Sequence, residues 1–446
     1  MITSKLYYRI SEREALRALR HLRETQFWSY EKIREYQFNK LKRLLDHAYQ
    51  NVPYYNRLFK DMGVTPNDIR NFDNFKAIPI LTKGIIRENF DNLIATNIPK
   101  NKLIPNSTGG STGEPLHFYQ DHQYEVWADA ARIRGWYQIA GCEMGDTCAV
   151  LWGDMRGVNE NFSLFDRVYL FCRYGEIPLN AFNLSEERKR EFWKWCQLLK
   201  PKLLRGYVTA LRDFAEFIIE KKLPIPKLKG VILCAETVNK ETQNYIENVF
   251  HAPSYNTYGG RELSLMAMEC SEKNGLHEVS ENNYIEFEKI GLKGYEFAGN
   301  LVITNLNNYA MPFIRYRIGD IGIPSSIESC KCERGLPLIK KVIGRTTEVF
   351  VFNDGTRIAG EMFIHLMKDF AIKEYQFIQT SDSKVVLRIK KSDSISNGLK
   401  KRIQETYRKY LPEKVTLDFE EVDSIEKTPT GKFKFVYRQI PPSCNL

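Results

Sequence analysis

Apolar and polar positions change their spacing along the chain, and this change predicts the order of the secondary-structure elements. Short apolar runs such as "DTCAVLW" (146–152) and "GVILCAE" (230–236) precede stretches with helical spacing such as "ETQNYIENVF" (241–250). Buried strands have near-continuous apolar runs, whereas amphipathic helices repeat apolar residues about every 3.6 positions. The alternation therefore predicts an α/β sheet with helices packed against its faces.

From about residue 284 the spacing becomes typical of β-strands, as in "NYIEFEKIG" and "GNLVITNL". After Gly344 the order is strand, helix, strand, strand, helix and strand, which predicts a separate α+β unit. We therefore predict an α/β protein with two parts. A large multi-layer α/β N-terminal body covers residues 1–345, and a small mobile α+β C-terminal domain covers residues 346–446.

Composition narrows the class of protein. The 446 residues include 65 basic and 55 acidic ones, and the formal charge of +10 is spread along the chain. This distribution indicates a solvated surface with a mild attraction for anionic small molecules such as ATP, and it argues against nucleic-acid binding. The start lacks an apolar signal region, and no uncharged apolar run reaches 18 residues. We expect a cytoplasmic protein without stable membrane insertion.

The stretch "STGGSTGEP" (107–115) is the first candidate for chemistry. Its glycines allow the backbone to approach a ligand closely, and its hydroxyl side chains add short donors, so the loop suits phosphate. It is not a Walker A motif, because Glu114 stands where a phosphate-binding lysine would be expected. A flexible turn is the alternative interpretation.

Four more motifs follow in order: "NTYGGRE" (256–262), "YRIGD" (316–320), "GRTTEVF" (344–350) and "TPTGKFK" (428–434). Together with the glycine loop they resemble the motifs of the adenylate-forming superfamily of acyl-CoA synthetases, adenylation domains and luciferases. The segment from Val52 to Lys83 resembles the N-terminal signature of the phenylacetate-CoA ligase family. "STGEP" and "YGGRE" are closer to relatives in capsule polysaccharide biosynthesis.

The resemblance implies a nucleotide site. Tyr258 and Gly259 would line the adenine, and Glu236 would lie in the segment that flanks it. Asp320 would accept hydrogen bonds from the ribose hydroxyls, and Arg345 would lie near the ribose and phosphates. The loop positions that would contact the β- and γ-phosphates of ATP are Thr108, Gly110, Ser111, Thr112 and Gly113.

Three further residues would carry the chemistry. Glu262 would hold the Mg²⁺ that bridges the phosphates, and Lys432 matches the C-terminal catalytic lysine. Arg261 departs from the family pattern, which usually has a hydroxyl residue there, so a guanidinium would replace that hydroxyl at the α-phosphate. Thr347 occupies the position that usually serves as the hinge between the two domains.

Two pairs of residues could bind a metal ion. Cys270 and His277 lie in "ECSEKNGLH", and Cys330 and Cys332 form "CKC". Nine cysteines is an odd number in a chain that we expect to be intracellular, which argues against a disulfide framework. Some members of the resembled family carry a similar pattern, so we predict a structural Cys₃His zinc site. Simple burial of the cysteines is the alternative.

The expected activity is ATP- and Mg²⁺-dependent formation of an acyl-adenylate from a small carboxylic acid, followed by transfer to CoA or to an amine or hydroxyl acceptor. The resemblance suggests polysaccharide biosynthesis as a setting. One alternative is an adenylyltransferase that leaves AMP on its product, and another is a nucleotide-binding scaffold without catalysis. Four aromatic residues are candidates for the acid pocket, with a core position as the alternative for each: Trp136, Tyr137, Trp152 and Tyr207.

Overall fold

The structure is a computed structural model. It describes residues 13–108, 115–153, 163–327, 329–367, 369–370, 372, 374–391, 396–425 and 435–440. Among these residues, none of the helices combines the length and the apolar character that crossing a lipid bilayer requires.

The helices fall into an N-terminal group, a group that alternates with strands, and a C-terminal pair. They are α1 (Arg13–Thr25), α2 (Tyr30–Asn51), α3 (Pro53–Asp61), α4 (Phe72–Phe75), α5 (Lys83–Glu88), α6 (His122–Arg132), α7 (Leu164–Tyr174), α8 (Glu186–Leu199), α9 (Val208–Glu220), α10 (Lys240–Phe250), α11 (Gly360–Met367) and α12 (Asn397–Arg408).

The strands form four sheets. They are β1 (Ile104–Ser107), β2 (His117–Gln120), β3 (Cys148–Trp152), β4 (Glu176–Asn180), β5 (Leu203–Tyr207), β6 (Gly230–Cys234), β7 (Ser254–Gly260), β8 (Ser264–Glu269), β9 (Leu276–Glu278), β10 (Asn283–Lys289), β11 (Gly299–Asn305), β12 (Tyr316–Pro324), β13 (Leu338–Arg345), β14 (Val349–Val351), β15 (Arg357–Ala359), β16 (Tyr375–Ser381), β17 (Lys384–Lys390), β18 (Thr416–Val422) and β19 (Val436–Arg438).

Local chemistry explains where the long helix α2 begins and ends. The side chain of Ser29 accepts a hydrogen bond of 3.3 Å from the backbone N–H of Lys32 and thereby caps the start of α2. That helix stops at Val52, because the following Pro53 disfavours helical backbone in the residue before it. Leu41 and Leu44 of α2 join the core that the strands β10 to β12 supply.

The large sheet has eleven strands in the order β10-β11-β12-β13-β9-β8-β7-β6-β5-β3-β4. Strands β3 to β7 are parallel to their neighbours, and from the pairing of β7 with β8 onward the sheet is antiparallel. Strands β3 to β6 are buried along almost their whole length because both faces of the sheet are covered. On β5, for example, Leu204 packs into one core and Leu203 into the core on the opposite face.

The sequence-predicted alternation of strands and helices is confirmed in this half of the sheet. Parallel strands also bring their carboxyl ends to one edge, where open α/β sheets bind ligands. That edge positions the candidate site.

Most of the buried apolar residues from Phe350 onward form a smaller core of their own. The hairpin β14–β15 precedes a four-stranded sheet in the order β18-β17-β16-β19, and α11 and α12 contribute Phe363 and Tyr407 to the core beneath it. The Tyr407 hydroxyl donates a hydrogen bond of 2.5 Å to the carbonyl of Phe363. The predicted fold class, an α/β body followed by an α+β unit, is therefore confirmed.

Candidate active site

The glycine loop connects β1 and β2, which pair as an antiparallel hairpin. Thr108 closes its base, because the N–H of Leu116 donates a 2.9 Å hydrogen bond to the Thr108 hydroxyl and the N–H of Thr108 donates one of 2.9 Å to the Leu116 carbonyl. A cavity of about 480 Å³ borders the hairpin, with Arg87 and Phe90 in its wall. The other predicted loop contacts lie outside the described residues: Gly110, Ser111, Thr112 and Gly113.

The structure brings three of the predicted nucleotide residues into contact. Asp320 on β12 lies directly opposite Arg345 on β13 in the strand register. One Asp320 oxygen is 3.0 Å from Nε of Arg345, and the other accepts a 2.7 Å hydrogen bond from the Tyr258 hydroxyl. A carboxylate has about four lone-pair positions, so both oxygens of Asp320 can still accept ribose hydroxyls.

The electrostatics of these three residues agree with their geometry. Burial, followed by the negative charge of Asp320, raises the pKa of Tyr258 well above its ordinary value. The same carboxylate raises the pKa of Arg345. Tyr258 therefore stays a hydroxyl donor and Arg345 stays a cation at neutral pH, which holds the Asp320 carboxylate in one orientation.

Glu262 is a buried carboxylate beside this cluster. Its oxygen Oε1 accepts a long hydrogen bond of 3.5 Å from the Tyr316 hydroxyl. Burial raises the pKa of Glu262, while the positive charges of Lys83 and Arg345 act in the opposite direction. A buried carboxylate at the edge of a phosphate site is an oxygen ligand suited to Mg²⁺. The predicted metal-holding role therefore fits the position of Glu262.

Lys83 is a site residue that sequence reasoning did not assign. Two backbone hydrogen bonds join Leu81 to β12: the Leu81 N–H donates to the Arg315 carbonyl at 3.0 Å, and the Arg317 N–H donates to the Leu81 carbonyl at 2.9 Å. This parallel bridge places Lys83, the first residue of α5, close enough to Glu262 and Asp320 for their charges to act on it. Burial and the charge of Arg345 lower the pKa of Lys83, and the carboxylates of Glu262 and Asp320 oppose them.

Lys83 is a cation near Glu262 and Asp320, whereas the glycine loop carries Glu114 at the place of a phosphate-binding lysine. The available sequence signal was "LTK", in which Thr82 precedes Lys83 as the cap of a short helix. Nothing in that signal names a ligand, because the role depends on the distant pairing of Leu81 with Tyr316.

Arg261 lies next to the glycine hairpin, and Gly259 packs against the start of β8. Nη1 of Arg261 donates to the carbonyl of Ser107, the last residue of β1, at 3.4 Å, and the Arg261 carbonyl accepts a 3.0 Å hydrogen bond from Gln120 on β2. The guanidinium therefore lies at the base of the glycine loop. A Cβ atom on Gly259 would lie 2.7 Å from the carbonyl oxygen of Ser264, so only glycine fits there.

Glu236 has a structural role that the motif did not indicate. Its carboxylate accepts hydrogen bonds from the backbone N–H of Thr209 at 2.7 Å and from the Thr209 hydroxyl at 3.0 Å. It therefore caps the start of α9, where a negative charge stabilises the helix. Its position beside an adenine stays a prediction.

The aromatic candidates for the acid pocket separate into two groups. Trp152 and Tyr207 end the neighbouring strands β3 and β5, and their ring centroids are 4.6 Å apart at the carboxyl edge of the sheet. Tyr137 is buried in the core below them. Trp136 covers the guanidinium of Arg205 at 4.1 Å, so its ring takes part in a buried cation–π contact.

The four predicted metal ligands meet at one place. The ligand atoms of Cys270, His277, Cys330 and Cys332 all lie within 4.8 Å of one another. The two sulfurs of Cys270 and Cys330 are 3.7 Å apart, and the Cys332 sulfur is 3.2 Å from Nε2 of His277. Ligands around tetrahedral zinc are separated by about 3.5 to 3.8 Å, which follows from the usual Zn–S and Zn–N bond lengths. The donor set and its spacing fit zinc.

The histidine is oriented for this task. Nδ1 of His277 lies 3.1 Å from the Leu336 carbonyl and can donate to it, which leaves Nε2 facing the three sulfurs. Burial lowers the pKa of His277 to about 4, so the imidazole is neutral at pH 7, as a metal ligand must be. Burial also raises the pKa of Cys270 to about 12, so its thiol keeps its proton unless a cation stabilises the thiolate.

Lys432, the predicted catalytic lysine, lies outside the described residues.

Comparisons with known proteins agree with the motifs. The family model described as the CapK C-terminal domain matches residues 350–439. Protein CapK of Staphylococcus aureus is 25% identical over 424 residues, which cover 91% of this chain and 89% of that protein. The phenylacetate-coenzyme A ligase of Pseudomonas putida is 26% identical over 355 residues, or 76% of each protein.

A solved structure has the same fold. The 2-hydroxyisobutyryl-CoA ligase in its postadenylation state, in complex with R3-HIB-AMP, superimposes with a TM-score of 0.72 over 93% of this chain and 91% of that chain, at 17% identity. The sequence motifs, the relatives and the fold lead to one conclusion. The chain resembles the adenylate-forming CoA ligases, and among them the phenylacetate-CoA ligases and protein CapK, in its sequence and in its fold.

Proposed function

We propose that this protein is an adenylate-forming ligase that activates a small carboxylic acid with ATP. A carboxylate oxygen attacks the α-phosphorus of ATP, the bond from that phosphorus to the bridging oxygen breaks, and pyrophosphate leaves. The acyl carbon of the acyl-adenylate is then attacked by a thiol, amine or hydroxyl, and AMP leaves. The observation that carries the proposal is the cluster of Tyr258, Asp320 and Arg345 at the edge of the sheet, beside Glu262.

The first step brings two anions together, so the site must offset negative charge. Lys83, Arg261 and Arg345 provide three cationic side chains around the glycine hairpin and the ribose position. Glu262 would hold a Mg²⁺ ion, which would supply further positive charge to offset the charge of the leaving pyrophosphate. Fixed cations in a partly buried site stabilise this charge more than water does.

We assign Lys432 to the adenylation step on the basis of its motif. In this proposal residues 346–446 form a domain that closes on the body and then rotates near Thr347 for the transfer step. Arg345 ends β13, and the following turn is held by the Thr346 hydroxyl, which donates to the Gly319 carbonyl at 3.3 Å. The ribose contact and the hinge would therefore be neighbours in the chain, so nucleotide binding and domain rotation would be coupled.

The acceptor in the second step is proposed from the relatives. Structures of 2-hydroxyisobutyryl-CoA ligase contain an acyl-AMP and CoA, and several relatives are named phenylacetate-coenzyme A ligase. CoA is therefore the first acceptor to test. The resemblance of "STGEP" and "YGGRE" to relatives in capsule polysaccharide biosynthesis supports a role in that setting, in which an amine or hydroxyl would accept the acyl group.

We also propose that the cluster of Cys270, His277, Cys330 and Cys332 holds a structural Zn²⁺. Four protein ligands leave no position for a water molecule, so the ion would not take part in catalysis. It would join the end of β8, strand β9 and the loop between β12 and β13, and β12 carries Asp320. The zinc would thereby stabilise the strands that position the ribose contact.

The function is tested by measuring pyrophosphate release with a panel of aryl, aliphatic, amino and sugar acids. We expect release that depends on one class of acid, and mass analysis with and without CoA should then identify the acceptor. AMP that stays on the product would identify an adenylyltransferase instead. Nucleotide binding without pyrophosphate release for any acid would favour the scaffold alternative.

A further inference from the structure

Helix α1 carries a row of arginines along its exposed face. Arg13, Arg17 and Arg20 follow one another at intervals of four and three residues, so they form one stripe about 10 Å long. Arg23 lies three residues beyond Arg20, and all four side chains are exposed. None of these guanidinium groups pairs with an acid among the described residues. The protein therefore leaves this concentration of positive charge without a partner of its own.

The acids of α1 do not cancel this charge. An oxygen of Glu14 lies 2.7 Å from Nε2 of His122 on α6, and Glu24 is the only other acid of the helix. The twelve residues before α1 lie outside the described residues, and they add Lys5, Arg9 and one acid, Glu12. Because like charges repel, that segment is not complementary to the arginines. An anionic partner is complementary to them.

An exposed aromatic ring and a fifth arginine lie at the end of the stripe. The N–H of Phe27 donates a 3.1 Å hydrogen bond to the Glu24 carbonyl, so Phe27 lies about one turn beyond Arg23, and it is 53% exposed. The guanidinium of Arg334 lies over the Phe27 ring at 5.7 Å, and its Nε donates a 2.9 Å hydrogen bond to Gln26. We call the following residues the α1 patch: Arg13, Arg17, Arg20, Arg23, Phe27 and Arg334.

The opposite face of α1 is buried, which restricts the shape of the partner. Ala18, Leu19 and Leu22 share one apolar cluster with Ala130 and Ala131 of α6, so α1 lies flat on the body and exposes one side. A helix that enters a groove of duplex DNA has to project from the protein, because the groove has a wall on each side of it. A nucleic-acid single strand is usually bound in a basic groove with several stacking rings. The α1 patch has neither of these shapes.

An extended anionic surface needs only one exposed stripe. A cluster of about four to eight basic residues on an amphipathic helix attracts anionic lipid headgroups, and aromatic rings favour the interface between lipid and water. The α1 patch has five arginines and the exposed ring of Phe27. We propose that the α1 patch binds the surface of a membrane that contains anionic lipid. With one exposed ring the association is reversible and superficial. This inference does not depend on the proposed catalytic function.

Cosedimentation with lipid vesicles tests this surface. The full-length chain should sediment with vesicles of equal parts phosphatidylcholine and phosphatidylglycerol, and it should stay in solution with vesicles of phosphatidylcholine alone. Raised salt should release it, because salt screens exposed charges. The double variant Arg17→Glu/Arg20→Glu should bind the mixed vesicles more weakly by roughly tenfold or more. Phe27→Ser should weaken binding by a smaller factor, because it leaves all five arginines in place.

The matched control is Arg57→Glu/Lys60→Glu. These two exposed cations lie three residues apart on α3, as Arg17 and Arg20 do on α1, so the spacing and the change in net charge are the same. The control should bind the mixed vesicles as the wild type does. All the replaced side chains are exposed, so the Tm of each variant should stay close to that of the wild type.

Four results would overturn the proposal. The first is a wild-type chain that does not sediment with the mixed vesicles, and the second is equal binding to vesicles of phosphatidylcholine alone. The third is an equal loss of binding in both double variants, since net charge and not the α1 patch would then be responsible. The fourth is a wild-type chain that binds a labelled DNA oligonucleotide but no vesicle and loses the DNA in Arg17→Glu/Arg20→Glu, because the patch would then bind nucleic acid.

Discussion

Replacing Asp320 by alanine tests the nucleotide site at the residue that organises it. Its two oxygens contact the Tyr258 hydroxyl at 2.7 Å and Nε of Arg345 at 3.0 Å, and we propose that they also accept the ribose hydroxyls. The variant removes a charged acceptor from the ribose and leaves both protein donors without it. We expect weaker ATP binding, with a smaller effect on folding stability.

The magnitude follows from the type of bond that is lost. A hydrogen bond to a charged group contributes about 1.5 to 3 kcal/mol, so the Kd for ATP should rise roughly 10- to 150-fold. The Arg345 side chain is 40% exposed, so water can replace the lost carboxylate, and a partly exposed ion pair contributes about 1 kcal/mol or less to folding. Binding should therefore change much more than the Tm.

Calorimetry with ATP, 2′-deoxy-ATP and 3′-deoxy-ATP separates the ribose contact from other effects. The wild-type protein should prefer ATP to both deoxy analogues, and Asp320→Ala should bind all three with similar affinity. Asp354→Ala is a control with the same change in charge, because the exposed Asp354 carboxylate accepts a 2.9 Å hydrogen bond from the Thr356 N–H in the turn between β14 and β15. It should retain the preference of the wild type.

The ribose assignment is refuted if Asp320→Ala binds ATP as tightly as the wild type does. It is also refuted if the variant binds more weakly but still discriminates against the deoxy analogues, since the lost contact would then lie elsewhere on the nucleotide.

Purified protein should contain about one zinc per chain, and Cys330→Ser should lose the metal and have a lower Tm. Cys172→Ser is the control and should keep the metal. Wild-type protein that is stable and free of metal would contradict the site. Lys83→Ala should slow adenylation roughly tenfold or more and leave transfer from supplied acyl-adenylate unchanged. The control is Lys102→Ala, which replaces an exposed lysine and should have little effect. Equal losses in both steps for Lys83→Ala would argue against a phosphate role. Burial lowers the pKa of Lys40 to about 7, compared with an ordinary value of 10.5. Between these two pH values the unfolded chain binds a proton that the folded chain lacks, so the free energy of unfolding should rise with pH. Urea melts of Lys40→Met should show a flatter rise, and parallel curves for both proteins would contradict the assignment.

Much of the candidate site could be predicted from the sequence because its residues lie in short motifs at strand ends. Asp320 and Arg345 were identified from "YRIGD" and "GR", and the structure adds the register that places them opposite each other. The four candidate metal ligands could be predicted as two pairs, and the structure adds that β9 and the loop before β13 bring the pairs together.

The position of Lys83 and two of the strands could not be predicted, because they depend on tertiary contacts that no local sequence pattern encodes. Lys83 enters the site through the pairing of Leu81 with Tyr316 on β12, far away in the chain. The edge strand β4 was not predicted, because Pro178 interrupts its apolar pattern, and a proline is tolerated there since one side of an edge strand needs no hydrogen bonds. The short strand β19 was not predicted either, because it has only three residues and pairs with β16, which lies far away in the chain.

The central claim is that a carboxylate oxygen attacks the α-phosphorus of ATP. It is tested most directly with an acid, chosen from the substrate panel, in which both carboxyl oxygens are ¹⁸O. If the acyl-adenylate forms and is transferred, the AMP that is released must carry one ¹⁸O, and pyrophosphate must carry none. Release of ADP with labelled inorganic phosphate would instead show an acyl-phosphate route, and unlabelled AMP would show that water, not the acid, attacked ATP. Either of these results would contradict the account.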